Sequence, residues 1–222
     1  MNLRVITLIV AVVVTACVQQ RMAFGQTPSP LSAPSSRESE IWHKLNELDS
    51  RIAYAEPNAK RKSIDDFIAA EGPKIYQELI DCIGEGFYSR NDLRQVADVM
   101  ERIKPSPADK LIARINGEND PNQKAMLVYC LGRFDGAEVI ATLRKALDET
   151  HPLVHPYRSI ESAPWPVHRV SDEAYLALLS KVQKSKGGIA ASPTPIVQLP
   201  RDDQERERRY DELKTQLDTL GY

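Results

Sequence analysis

The segment from Ser106 to Glu149 constrains this chain most. It reads as two helices joined by a glycine-bearing turn, followed by a third. Asp120-Pro121 is a helix start, because the aspartate can accept a bond from a first-turn N–H and Pro121 has no N–H to leave unpaired. The run Ala125-Met126-Leu127-Val128-Tyr129-Cys130-Leu131 is apolar almost all round, which suits a helix covered on several sides. Gly132 to Gly136 supplies the turn, and Val139, Ile140, Leu143 and Leu147 give the next helix one apolar face. Leu131 and Leu143 are expected to be buried between these helices. The pattern belongs to a protein that stacks and binds rather than to a chemical site.

Apolar residues recur three and four apart along most of the remainder, so the expected class is all-α. Ile41, Trp42, Leu45, Leu48 and Ile52 form one stripe from Glu38 onward, with Ser35 and Glu38 spaced as a capping box. A second helix is expected over Ala59 to Glu71, with Ile64, Phe67 and Ile68 inward, until Gly72-Pro73 breaks it. A third follows on Ile75, Tyr76, Leu79, Ile80 and Ile83 up to Gly84 and Gly86. A fourth uses Leu93, Val96, Met100 and Ile103, and a fifth, starting at Ser106-Pro107, carries Leu111, Ile112 and Ile115 up to Gly117.

Asp120-Pro121, Lys124-Ala125, Leu131-Gly132-Arg133-Phe134 and Ala137-Glu138-Val139-Ile140, with Leu143 and Leu147, resemble a HEAT-type helical repeat. Met126 to Tyr129 stand where that family has small residues, and Cys130 where alanine is common. A second partial match runs from His168 through Ala174 to Leu176, Leu178 and Leu179. The resemblance implies a short α-solenoid of stacked helix pairs whose groove recognises a partner. Whether residues 38–103 follow the same repeat or cap it stays open.

The first residues read as a targeting segment: Arg4 precedes a nearly unbroken apolar run from Val5 to Val14, shorter than the ~20 residues that a spanning helix needs. Val14-Thr15-Ala16-Cys17 resembles a bacterial lipobox, in which Cys17 is acylated. Ala23-Phe24-Gly25 is a competing site, cleaved before Gln26. The expected organisation is a leader over 1–25, a Pro/Ser-rich linker over 26–36, a helical repeat-like domain over 37–186, a second linker over 187–200, and an amphipathic helix over 201–222. Tyr210, Leu213, Leu217 and Leu220 share one face of that last helix. Its stripe lasts about two heptads, short for a coiled coil, so docking on the chain's own body is the expectation.

Residues 150–167 hold Pro152, Pro156, Pro164 and Pro166, too many for a helix, and read as a long loop of the kind that binds ligands. It carries the candidates His151, His155, Tyr157, Arg158, Glu161 and Trp165, with His168 just beyond. The prolines deny the histidines a common helical face, and no Cys or HExxH companion is present, so no metal is assigned and no cofactor is expected. Trp165 reads first as an anchor of the loop and second as a stacking platform. Cys82 and Cys130, both on apolar faces, read as two separate buried thiols, with a bridge as the alternative.

No Gly-x-Ser-x-Gly elbow, phosphate-cradling glycine loop or recognisable Cys–His arrangement occurs. Asp65-Asp66, Asp202-Asp203, Glu205 and Glu207 sit in charge-mixed segments that read as solvated faces. Arg206, Arg208 and Arg209 are offset by acidic neighbours. With 27% charged residues and a net charge of −2, the chain lacks the concentrated basic face of a nucleic-acid binder. The functional expectation is an exported module that binds or scaffolds a protein in the cell envelope, held to a membrane only through Cys17. The alternative is an envelope enzyme or small-ligand binder with its site under the 150–167 loop.

Overall fold

In the computed structural model, residues 36–72, 74–83, 90–157, 167–185, 199–200 and 202–222 are described. They form mostly helix, in the order α1 (Ser36–Ile52), α2 (Pro57–Glu71), α3 (Ile75–Cys82), α4 (Arg90–Arg102), α5 (Ala108–Gly117), α6 (Pro121–Leu131) and α7 (Ala137–Ala146). A short ribbon, β1 (Pro152–Tyr157) and β2 (Val167–Arg169), then leads into α8 (Val170–Ser185) and α9 (Asp203–Thr219). The capping-box residue Ser35 and the glycines Gly84 and Gly86 lie outside the described residues.

Two of the helices, α6 and α9, start where a side chain answers a free backbone donor. Asp120 Oδ1 accepts from the Gln123 N–H at 2.9 Å, with Pro121 as the first helical residue. Asp202 does the same for α9 through the Glu205 N–H, also at 2.9 Å. Each satisfies a donor that the helix cannot bond internally. The apolar stripes meet in one core that runs from Ile41 in α1 to Leu217 in α9. Leu131 and Leu143 are both fully buried in it.

One stretch differs from the sequence reading. The stretch expected as a loop contains β1, paired antiparallel with β2 through Pro152↔Arg169 and Tyr157↔Val167, with an irregular register between. Prolines stop a helix there but are compatible with an edge strand, and β1 alternates: Leu153 is buried, Val154 exposed. The second repeat match is affected too, because His168 and Arg169 belong to β2 and the helix begins only at Val170.

Gly132 lies in the turn where the sequence places it. It has an ordinary helical backbone, φ −55°, so the turn does not need its freedom; Gly136, at φ 134°, is where the chain uses that. Gly132 is needed for space. A Cβ there would lie 2.8 Å from Ala177 Cβ on α8 and 3.2 Å from the Tyr129 carbonyl oxygen. Gly132→Ala should therefore destabilise the fold by about 1–3 kcal/mol through overpacking. Ala177→Gly in the same chain should restore part of that loss in urea unfolding, whereas a purely conformational role for Gly132 would leave the double variant no better than the single one.

Candidate functional site

Of the sequence candidates, His151, His155, Tyr157 and His168 fall among the described residues. His151 is exposed, ahead of β1. His155 and Tyr157 fall in β1 and His168 in β2, while Arg158, Glu161 and Trp165 lie outside the described residues, as do Cys17, the Ala23–Gly25 alternative and residues 187–198. The ribbon is tied to α6 by the Val154 N–H, which donates to Asn122 Oδ1 at 2.9 Å. Cys82 and Cys130 are buried thiols that form no disulfide. Burial pushes the Cys130 thiol up to about 12, so it is inert at neutral pH. Among the described residues, no group of three His, Cys, Asp or Glu side chains is placed to hold a metal ion.

Two adjoining clefts open instead on α1, α2 and α4. The larger, ≈ 480 Å³, lies between α2 and α4, with Lys60, Arg61, Arg102 and Lys104 against Asp98 and Glu101 over a floor that includes Pro57 and Ile64. The smaller, ≈ 290 Å³, shares Lys60 and Asp98 and adds Asp49, Arg94 and Gln95. Lys60 and Asp98 pair at 3.1 Å across the seam. Arg133 reaches Asp98 from the far side at 3.8 Å, while its guanidinium sits 5.6 Å over the Tyr129 ring and donates to that hydroxyl at 3.2 Å. Arg102 donates to both carboxylate oxygens of Asp65, one bond being 2.7 Å, and these bonds hold the Asp65 carboxyl below the usual carboxylate range. Arg61, Arg94 and Lys104 are exposed and form no ion pair among the described residues. The sequence reading did not single out Lys60, Arg61, Lys62, Arg102 or Lys104, and so missed the cleft. The available signal was cations at the ends of two neighbouring helices, but only the packing of α2 on α4 makes them converge.

A second charged cluster is sealed. Asp172 on α8 has no exposed surface. Its oxygens accept from Arg206 at 3.1 and 3.2 Å, from the Tyr210 hydroxyl at 2.5 Å and from the Arg169 N–H at 3.0 Å. Arg206 is 3% exposed, which corrects its reading as part of a solvated face. Burial, then the Asp172 charge, pushes the Tyr210 phenol well above its ordinary range. Around this centre α9 is fastened to the body by Arg169 to Asp203 and Glu207, each at 2.8 Å, by Lys214 to Asp148 at 2.8 Å, and by Arg144 to Asp218 at 2.7 Å. Tyr210, Leu213 and Leu217 are buried, so the stripe of α9 docks on its own chain; Leu220, past the helix end, is 38% exposed. On the α6 side, the buried Glu173 adds its charge to the upward push on Tyr129 and Cys130, smaller than that of burial.

Compared with protein-family models, curated proteins and solved structures, the chain matches none of them significantly. Function is therefore read from the two charged regions. The Asp172 cluster is closed to solvent and its donors hold helices together, so it is structural. The clefts are open, and their charges can meet another molecule.

Arg206→Met should cost about 3–5 kcal/mol, because it leaves the Asp172 carboxylate buried without its counter-charge. Deleting residues 201–222 should lower the melting temperature as well, without changing sedimentation behaviour. Equal stability of Arg206→Met and the parent in urea would show that Asp172 is held by its other donors alone.

Proposed function

We propose that this chain is an exported, HEAT-like helical-repeat protein that binds or scaffolds another protein in the cell envelope. The repeat reading is supported by the order of contacts: the principal helix packing joins elements at most three helices apart in the chain, as in α4 on α6, α5 on α6 and α6 on α8. The export reading rests on Arg4, the apolar run from Val5 and the two candidate processing sites. Among the described residues no helix is long and apolar enough to cross a membrane. The attachment proposed is acylation of Cys17.

The observation that carries the binding reading is the pair of clefts on α1, α2 and α4, where Arg61, Arg94 and Lys104 are exposed without ion-pair partners among the described residues. Long side chains kept charged at an open surface suit recognition of a macromolecule.

Affinity capture of the full chain from envelope fractions, with mass spectrometry, should yield one stoichiometric protein partner. Cys17→Ser should move the chain from the membrane to the soluble fraction with unchanged circular dichroism. A mature N-terminus at Gln26 would remove the lipid anchor from this reading, and envelope capture with no stoichiometric partner would remove the binding role.

A further inference from the structure

We infer that the cleft between α2 and α4 receives an extended, acidic segment of the partner protein, its carboxylates held by Arg61 and Lys104. This rests on the binding reading above and specifies the chemistry of the partner. Four cations and two carboxylates line the larger cleft. Lys60 is engaged by Asp98 at 3.1 Å, and Arg102 by Asp65 through paired bonds, one of them 2.7 Å. Subtracting these leaves Arg61 and Lys104 as cations and Glu101 as the one lining carboxylate with no bonded partner among the described residues. The local surplus is positive although the chain as a whole carries −2. In the adjoining cleft Arg94 and Asp49 are likewise uncommitted, so the charge track continues past the Lys60–Asp98 seam.

The occupant follows from that pattern. Arginine presents a planar fork of donors that fits a carboxylate with two bonds, and lysine adds a point charge. Glu101 and Asp49 lie beside these cations, so a purely anionic ligand would be repelled along part of the track. A polypeptide offers carboxylates to Arg61 and Lys104 and backbone N–H or cationic donors to Glu101 and Asp49. Pro57 and Ile64 in the larger cleft, with Ile52 and Ala53 in the smaller, supply apolar contact for side-chain stems. An anionic membrane surface fits less well. Asp65, Asp66, Asp98 and Glu101 are interleaved with the cations on α2 and α4, whereas a lipid-binding face concentrates one sign.

The test uses the full chain and a fluorescein-labelled peptide alternating Glu with Ala, beside its Gln-for-Glu counterpart, read by fluorescence anisotropy. The Glu peptide should bind, the Gln peptide should not, and added salt should weaken the complex. Arg61→Glu combined with Lys104→Glu should weaken binding about tenfold or more, because two attractive pairs become repulsive. If that variant loses its circular dichroism signal, Arg61→Gln with Lys104→Gln serves in its place and should also weaken the complex. No binding of the Glu peptide, equal binding of both peptides, full affinity in a folded variant, or sedimentation with phosphatidylglycerol vesicles in preference to the peptide would each overturn the inference. A stoichiometric envelope partner retained by the folded charge-reversed chain would overturn this inference alone and leave the binding role standing.

Discussion

A carboxylate with no exposed surface must bring its own donors, and that requirement at Asp172 decides how the second half of the chain closes. Removing such a charge from water costs several kcal/mol, recovered only when charge and hydrogen bonds are both supplied. The Arg169 N–H is local; the Arg206 guanidinium and the Tyr210 hydroxyl arrive from α9. The terminal helix is therefore part of the fold. Its apolar stripe and its buried cation point at the same face of α8, so one rotation of α9 satisfies both. Tyr175 and Tyr210, with ring centroids 5.4 Å apart, fill the space beside the pair. A purely apolar face could slide by a helical turn at little cost, whereas the Asp172–Arg206 pair has one position.

α8 is buried along most of its length because α6, α7 and α9 all pack on it. The close approach of α6 depends on Gly132 meeting Ala177, where two small residues replace side chains with backbone contact. The N-terminal half is built differently. Long charged side chains bridge α2 and α4: Arg102 crosses to Asp65 and Lys60 to Asp98. Bridges of that kind leave room between helices, and the clefts occupy it. The same side-chain chemistry thus seals one half of the molecule and lines open clefts in the other.

Helix positions were legible in the sequence because each rests on local signals. The Asp120–Pro121 start, the stripe of Ile41 to Ile52 and the burial of Tyr210, Leu213 and Leu217 follow from spacing and capping alone. The strand at Pro152–Tyr157 was not legible, since its prolines signal only the absence of helix and its partner lies beyond an intervening stretch. Arg206 looked solvated because its neighbours are charged; nothing in Arg201 to Arg209 reveals a buried carboxylate 34 residues earlier. Gly132 was placed in the right turn, but its contact with Ala177 was not legible, because periodicity does not register how closely two helices approach. The clefts were hidden for the same cause, being made by residues some 40 positions apart: Lys60 and Asp98 are separated by 38, Asp65 and Arg102 by 37.

Asp98 lies where the clefts meet the rest of the molecule, and it divides the work of recognition among the cations. It accepts from Lys60 on one side and faces Arg133, stacked over Tyr129, on the other. In the proposed complex, an incoming carboxylate that reached Lys60 would compete with Asp98 for one ammonium. That exchange replaces one carboxylate by another and gains little. Arg102 is in the same position, because Asp65 already fills its donor fork. Arg61 and Lys104 differ, since neither has a charged partner among the described residues and each would exchange water for one. Exposed pairs of this kind contribute only about 0–1 kcal/mol each, so affinity would come from several meeting one segment together. The committed pairs fix the cleft's shape, and the uncommitted cations select what enters it.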